Sequence, residues 1–208
     1  MFADTEPQIK KYLVDCQKAW DAHQDRLANT YYDSIKACIV NSYVGNHKFK
    51  ALNGKTIDLG KMRKPVLLTV SASWCAPCRA ETPALSQIAR EYKDKIDFVV
   101  LFWDDIEGTK KMAPLYSKDV FLIPSAKKPE NDEHIISTAG FRHIRGFPVN
   151  YLIATNKQIV KYNEGAAAPT SYTGPDGKVV NITEQQAEDA NYKHLKEDAE
   201  FLLKHPKG

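Results

Sequence analysis

The chain has 208 residues, 43% hydrophobic and 10% aromatic, which suits one domain with additions or a domain plus a small second unit. Its 29 basic and 26 acidic residues leave a formal charge of +3, too mild and scattered for a nucleic-acid surface, and no run approaches the ~20 apolar residues of a membrane span. Four cysteines are too sparse for a disulfide scaffold and do not settle the compartment.

The start, Met1-Phe2-Ala3-Asp4-Thr5-Glu6-Pro7, has no charged n-region and no apolar h-region. It reads as a cytosolic protein, or equally as a chain whose signal or lipoprotein leader lies upstream. Over residues 5–40, Ile9, Leu13, Cys16, Trp20, Leu27, Tyr31, Ile35 and Cys38 fall at alternating steps of three and four, with a gap at His23. This stripe predicts one long helix, or two helices broken near Asn29-Thr30. On one straight helix Cys16 and Cys38 stand ~33 Å apart, so only a hairpin brings them together. Two core-facing thiols are the expectation, since an unbonded cysteine behaves as a small buried hydrophobe.

Residues 47–59 alternate apolar and polar around Asn53-Gly54, a hairpin pattern. A βαβ unit follows: strand 66–70, helix 77–93 and strand 96–103, the strands made parallel by a right-handed crossover. Helix 109–118, an extended segment 120–124, a charged loop 127–133 and a short helix around 134–141 come next. Segments 150–155 and 158–162 form a closing hairpin around Asn156-Lys157. Residues 164–183 read as loop, with a turn at Pro175-Asp176-Gly177. Thr183 and Gln186 make a capping box for a last helix carrying Ala187, Ala190, Tyr192, Leu195, Ala199, Leu202 and Leu203.

Chemistry concentrates at Cys75-Ala76-Pro77-Cys78, between an apolar strand and a helix. Two thiols two residues apart at such a junction are the layout of a dithiol–disulfide centre. A sulfur in the first helical turn faces unpaired N–H groups and the positive end of the macrodipole, which favours its thiolate. Cys75 is therefore the expected attacking thiol and Cys78, about one turn on, the resolving thiol. Zinc needs about four ligands, and neither the distant Cys16 and Cys38 nor the six histidines show ligand spacing, so no metal or cofactor is expected.

The order β-α-β, a crossover, then ββα resembles the thioredoxin fold, an α/β fold with a central mixed sheet flanked by helices. The resemblance rests on Trp74 before the first cysteine, Pro83 five residues after the second, and Gly146-Phe147-Pro148-Val149 entering a strand. Cys-Ala-Pro-Cys-Arg-Ala-Glu-Thr-Pro is most similar to the TlpA/ResA-like exported thiol–disulfide oxidoreductases. The likeness covers roughly 46–163 and the final helix, dividing the chain into an N-terminal helical extension, 1–45, and a thioredoxin-like domain, 46–208. It implies a cis Pro148, with Phe147-Pro148 and Trp74 lining the site for an extended partner segment, and Pro77 stiffening the corner. Trp74 serves equally as plain packing. Glu81 matches the family's proton-handling glutamate, against the alternative of a solvated helix carboxylate. Thioredoxins proper carry an Asp six residues before the first cysteine; here Thr69 stands there, which shifts weight to Glu81.

The resulting expectation is a reductive protein disulfide oxidoreductase, exported to the periplasm or cell envelope, whose partners are protein dithiols and disulfides. A lipid anchor upstream and self-association through the N-terminal helices fit this picture. Ser-Ala-Ser-Trp-Cys and Phe-Trp-Asp-Asp also resemble tryparedoxin and nucleoredoxin proteins, a cytosolic electron-relay alternative. A non-catalytic binding module of the same fold is the third reading.

Overall fold

The computed structural model describes residues 2–125, 130–132, 135–143, 146–173 and 177–207. Helices α1 (Glu6–Asp21) and α2 (Asp25–Ile39) are followed by a hairpin of β1 (Lys48–Lys50) and β2 (Thr56–Asp58). Then come β3 (Val66–Ser71), α3 (Ala76–Tyr92), β4 (Asp97–Phe102), α4 (Ile106–Met112) and β5 (Val120–Ile123). A small sheet of β6 (Glu130–Asp132), β7 (Ile135–Thr138) and β8 (Phe141–His143) precedes β9 (Val149–Ile153) and β10 (Ile159–Glu164). A second hairpin, β11 (Thr170–Thr173) and β12 (Val179–Ile182), leads into α5 (Glu184–Lys204).

The central sheet has the order β10-β9-β3-β4-β5, with β3, β4 and β5 parallel and β9 and β10 antiparallel. This is the thioredoxin-like fold that the pattern of elements predicts. Alternation along each strand divides the core into two faces. Val66, Leu68, Val70, Tyr151 and Ile153 point to one side, where they meet Ile9 of α1 and Ile35 and Ile39 of α2. Leu67, Phe98, Val100 and Leu152 point to the other, against Leu85 and Ile88 of α3 and Leu195, Ala199 and Leu202 of α5. With both faces covered, β3 is buried at every residue, so its run Val-Leu-Leu-Thr-Val-Ser is nearly continuously apolar.

Several elements differ from the sequence expectation, each for a local reason. The N-terminal helix breaks at residues 22–24, not near Asn29-Thr30. His23 takes a positive φ of 55° while Ala22, His23 and Gln24 donate back to Lys18, Trp20 and Ala19, so the gap in the stripe is the turn itself. The resulting hairpin does not join the two N-terminal cysteines. Cys16 is buried and donates its S–H to the Ala28 carbonyl, and Cys38 stays a half-buried thiol. Helix 109–118 starts earlier, at Ile106, because Asp105 caps it by accepting from Gly108 N–H; it gives way to a 3₁₀ turn at Ala113–Leu115 as Pro114 ends the ladder.

The stretch expected as a helix around 134–141 is instead the β7–β8 hairpin. Ile135-Ile136-Ser137-Thr138 is β-branched apart from the serine, and Ala139 and Gly140 both take positive φ, as a tight hairpin turn requires. Likewise the expected loop 164–183 contains β11 and β12, paired from Thr170↔Ile182 to Thr173↔Val179. The charged loop at 127–129 and 133, His134, and Pro175-Asp176 of the expected turn lie outside the described residues. Among the described residues, no helix is long and apolar enough to cross a membrane.

Candidate active site

Strand β3 ends at Ser71 and the chain turns through Ala72-Ser73-Trp74 into α3. Asp104, just past β4, braces that turn: it accepts from Ser73 N–H at 2.7 Å and from the Ser73 hydroxyl. Cys75 is the N-cap of α3, with Sγ accepting from the Cys78 backbone N–H at 3.1 Å. Its sulfur therefore occupies the place where a helix N-terminus stabilises negative charge. Pro77 lies in the first turn, where its missing N–H costs no helical bond. Cys75 and Cys78 are joined, with sulfurs 2.14 Å and Cα atoms 5.3 Å apart.

The opposite wall comes from residues 146–149. Gly146 adopts φ +101°, a conformation open chiefly to glycine, and the Phe147–Pro148 peptide bond is cis. The Phe147 carbonyl oxygen lies 3.4 Å from Cys75 Sγ. The Phe147 ring makes edge contacts with Trp74 at 5.5 Å, Trp103 at 5.7 Å and His143 at 4.9 Å between centroids. Both sulfurs are thus under apolar cover, Cys75 at 5% and Cys78 at 2% exposure, while Trp74 projects outward at 62%. His143 is buried with no hydrogen-bond partner at either ring nitrogen among the described residues, and burial pushes its pKa down to about 3, so the ring is neutral.

Glu81 lies one turn beyond Cys78 on the same face of α3. It is 3% exposed, which removes the alternative of a solvated helix carboxylate. Oε1 accepts from Asn150 Nδ2 at 3.0 Å, and Asn150 Oδ1 accepts from the Thr69 hydroxyl at 2.5 Å. Desolvation raises its pKa to about 7, a rise to which Asp198 adds and which the Asn150 bond opposes. Thr82 Oγ1 lies 3.3 Å from the hydroxyl of Tyr116, whose pKa burial pushes up to about 12. A carboxyl titrating near neutrality beside a dithiol can both take up and return a proton at working pH.

The structure brings Trp74, Cys75, Pro77, Cys78, Phe147 and Pro148 to one corner and sets Glu81 beneath it. Sequence reading passed over Asn150, His143, Tyr116 and Asp198. Asn150 carried one signal, a polar residue inside the apolar strand Val149-Asn150-Tyr151-Leu152-Ile153. The others carried none, because their neighbours come from remote segments.

Comparison with known proteins agrees with this geometry. A family model named thioredoxin matches residues 47–124. The thioredoxin of Acidithiobacillus ferridurans is 39% identical over 88 residues, 42% of this chain and 76% of that protein. The thiol-disulfide oxidoreductase ResA of Oceanobacillus iheyensis is 27% identical over 113 residues, 53% of this chain and 55% of that protein. The chain spans little more than half the length of several of the curated relatives it matches. Among solved structures, the Chlorobium tepidum protein described as a thiol:disulfide interchange protein DsbE superposes with a TM-score of 0.53 at 20% identity, covering 79% of this chain and 97% of that one, a likeness of fold.

Proposed function

Because this chain belongs to the thioredoxin family, we propose that it exchanges electrons with disulfides of partner proteins through Cys75 and Cys78, working as a reductant. The observation that carries this reading is the Cys75 sulfur at the N-cap of α3, taking the Cys78 N–H and facing the Phe147 carbonyl. In the reduced protein the Cys75 thiolate attacks one sulfur of a partner disulfide. The partner's S–S bond breaks, its other sulfur leaves as a thiolate and takes a proton, and a mixed disulfide forms. Cys78 then gives its proton to the Glu81 carboxylate and attacks Cys75 Sγ, closing the Cys75–Cys78 disulfide as the partner's second sulfur leaves as a thiolate and takes a proton from solvent. Thr69 cannot take that proton near neutral pH, which leaves Glu81 as the acceptor.

Trp74, Phe147 and Pro148 line the place where the partner's chain lies extended, and the backbone beside Pro148 offers strand-like pairing. Residues 46–208 form the working unit, with 1–45 as a helical extension. The Arg79-Ala80-Glu81-Thr82-Pro83 stretch favours an exported, envelope protein over a cytosolic relay, and fractionation of cells carrying the full gene distinguishes them.

Cys78→Ser is expected to accumulate a mixed disulfide with a defined disulfide substrate such as insulin, released by dithiothreitol, while Cys75→Ser forms none. Wild type is expected to reduce insulin catalytically. An inactive wild type, together with a Cys78→Ser variant that traps nothing, would make this a binding module of the same fold.

A further inference from the structure

Glu81 shares its buried layer with a second carboxylate. Asp198 of α5 is fully buried; Oδ1 accepts from Lys161 Nζ at 2.7 Å, Oδ2 accepts from Asn163 Nδ2 at 2.7 Å, and His194 Nε2 lies 3.5 Å from Oδ2. Asn163 stands directly opposite Asn150 in the β9–β10 ladder, and Asn150 holds Glu81. Residues opposed in this way share a face, with Cβ atoms ~4.5–5.5 Å apart. The row continues to Thr69 of β3, which is paired with Asn150. The two carboxylates therefore occupy neighbouring slots of one polar row, Thr69–Asn150–Asn163, between the sheet and helices α3 and α5. Its inner end is the closed Glu81; its outer end reaches solvent through Lys161 and His194, with side chains 34% and 44% exposed.

We propose that Asp198 is a positioning residue for Glu81: its charge, acting from the adjacent slot of the ladder, makes the Glu81 carboxylate a stronger proton acceptor, and Lys161 tempers that charge. Charges buried this way are little screened by salt. The direction agrees with the raising effect of Asp198 on Glu81. The titratable groups facing Glu81 are Cys78 on its own helix, Tyr116 from the segment after α4, and Asp198 with Lys161 and His194 behind it from α5 and β10. Tyr116 stays neutral across the working range and the disulfide carries no charge, which leaves the Asp198 cluster as the tuning element in the oxidised protein.

The test is the titration of Glu81 in the oxidised full chain, read from its carboxyl carbon by NMR and assigned with Glu81→Gln. Asp198→Asn is expected to lower the Glu81 midpoint by roughly 0.5–1 pH unit. Lys161→Met is expected to raise it, and decides by its sign if Asp198→Asn does not fold. A Glu81 midpoint that stays put in the folded variants, or moves in the opposite sense, overturns the proposal. A purely structural Asp198 would change stability and leave the midpoint alone. The consequence for rate rests on the reading of Glu81 as proton acceptor, and the two fail separately. If the midpoint moves and the pH profile of insulin reduction does not follow, Asp198 tunes Glu81 but Glu81 does not serve Cys78.

Discussion

Glu81 sits in the closed space between sheet and helices with a carboxyl pushed up to about 7 from an ordinary 4.5, chiefly by desolvation. Between those two values the fold holds a proton that the unfolded chain has released. The stabilisation is thus full below about 4.5 and is lost as pH rises through about 7. For a fully buried carboxyl the loss amounts to about 3 kcal/mol. Glu81→Gln, which resembles the protonated form, should match wild type near pH 4 and exceed its stability by up to about 3 kcal/mol well above pH 7, read by urea unfolding of the oxidised protein. If wild type and variant lose stability in parallel, another group titrates. The same desolvation that makes Glu81 costly to ionise makes it a proton acceptor matched to neutral pH.

Among the elements, the segment between β10 and α5 is tied to the helices by one side chain. Asn191 of α5 is buried; its amide accepts from Ala167 N–H at 2.8 Å and donates to the Ala167 carbonyl at 2.9 Å and the Ala80 carbonyl at 3.3 Å. It therefore ties the start of the β11–β12 hairpin to the helix that carries Cys75 and Cys78. The hairpin itself exposes Tyr172, Val179 and Val180. Asn191→Ala removes these bonds to half-buried backbone groups and should cost about 1 kcal/mol. Hydrogen exchange should speed at residues 167–173 and 179–182 while β3 and β4 keep their protection. Exchange that accelerates across the central sheet instead would show that the hairpin is not a separate opening unit.

At the scale of the molecule, α1 and α2 help to cover one face of the sheet, together with Ile57, Leu59 and Phe141. Ile9, Ile35 and Ile39 share a single apolar cluster with Val66, Leu68 and Tyr151. Removing that cover exposes a strand face built for burial on both sides. Ile35→Ala should therefore lower global stability by about 2–4 kcal/mol, with the helices and sheet unfolding in one transition by circular dichroism and Trp fluorescence. Two separated transitions would mark the helical pair as an independent unit.

Much of the architecture could be read in the residues because neighbours close in sequence decide it. The βαβ unit, the Asn53-Gly54 hairpin, the Thr183–Gln186 capping box and the Cys75–Cys78 corner follow from strand and helix periods, turn chemistry and capping, each spanning a few residues. Even the break at His23 was written in the stripe as a gap. The β7–β8 and β11–β12 hairpins were missed because short β-branched runs in polar surroundings carry a weak period, and their pairing is settled by the strands they meet. The tertiary structure alone decided the character of Glu81. Its position on α3 fits a wet surface as well as a dry core, and the outcome depends on α5, β9 and β10 closing over it from 69 or more residues away. Burial and charge are summed over neighbours in space, so a side chain's acidity is a property of the packed molecule and not of the segment that encodes it.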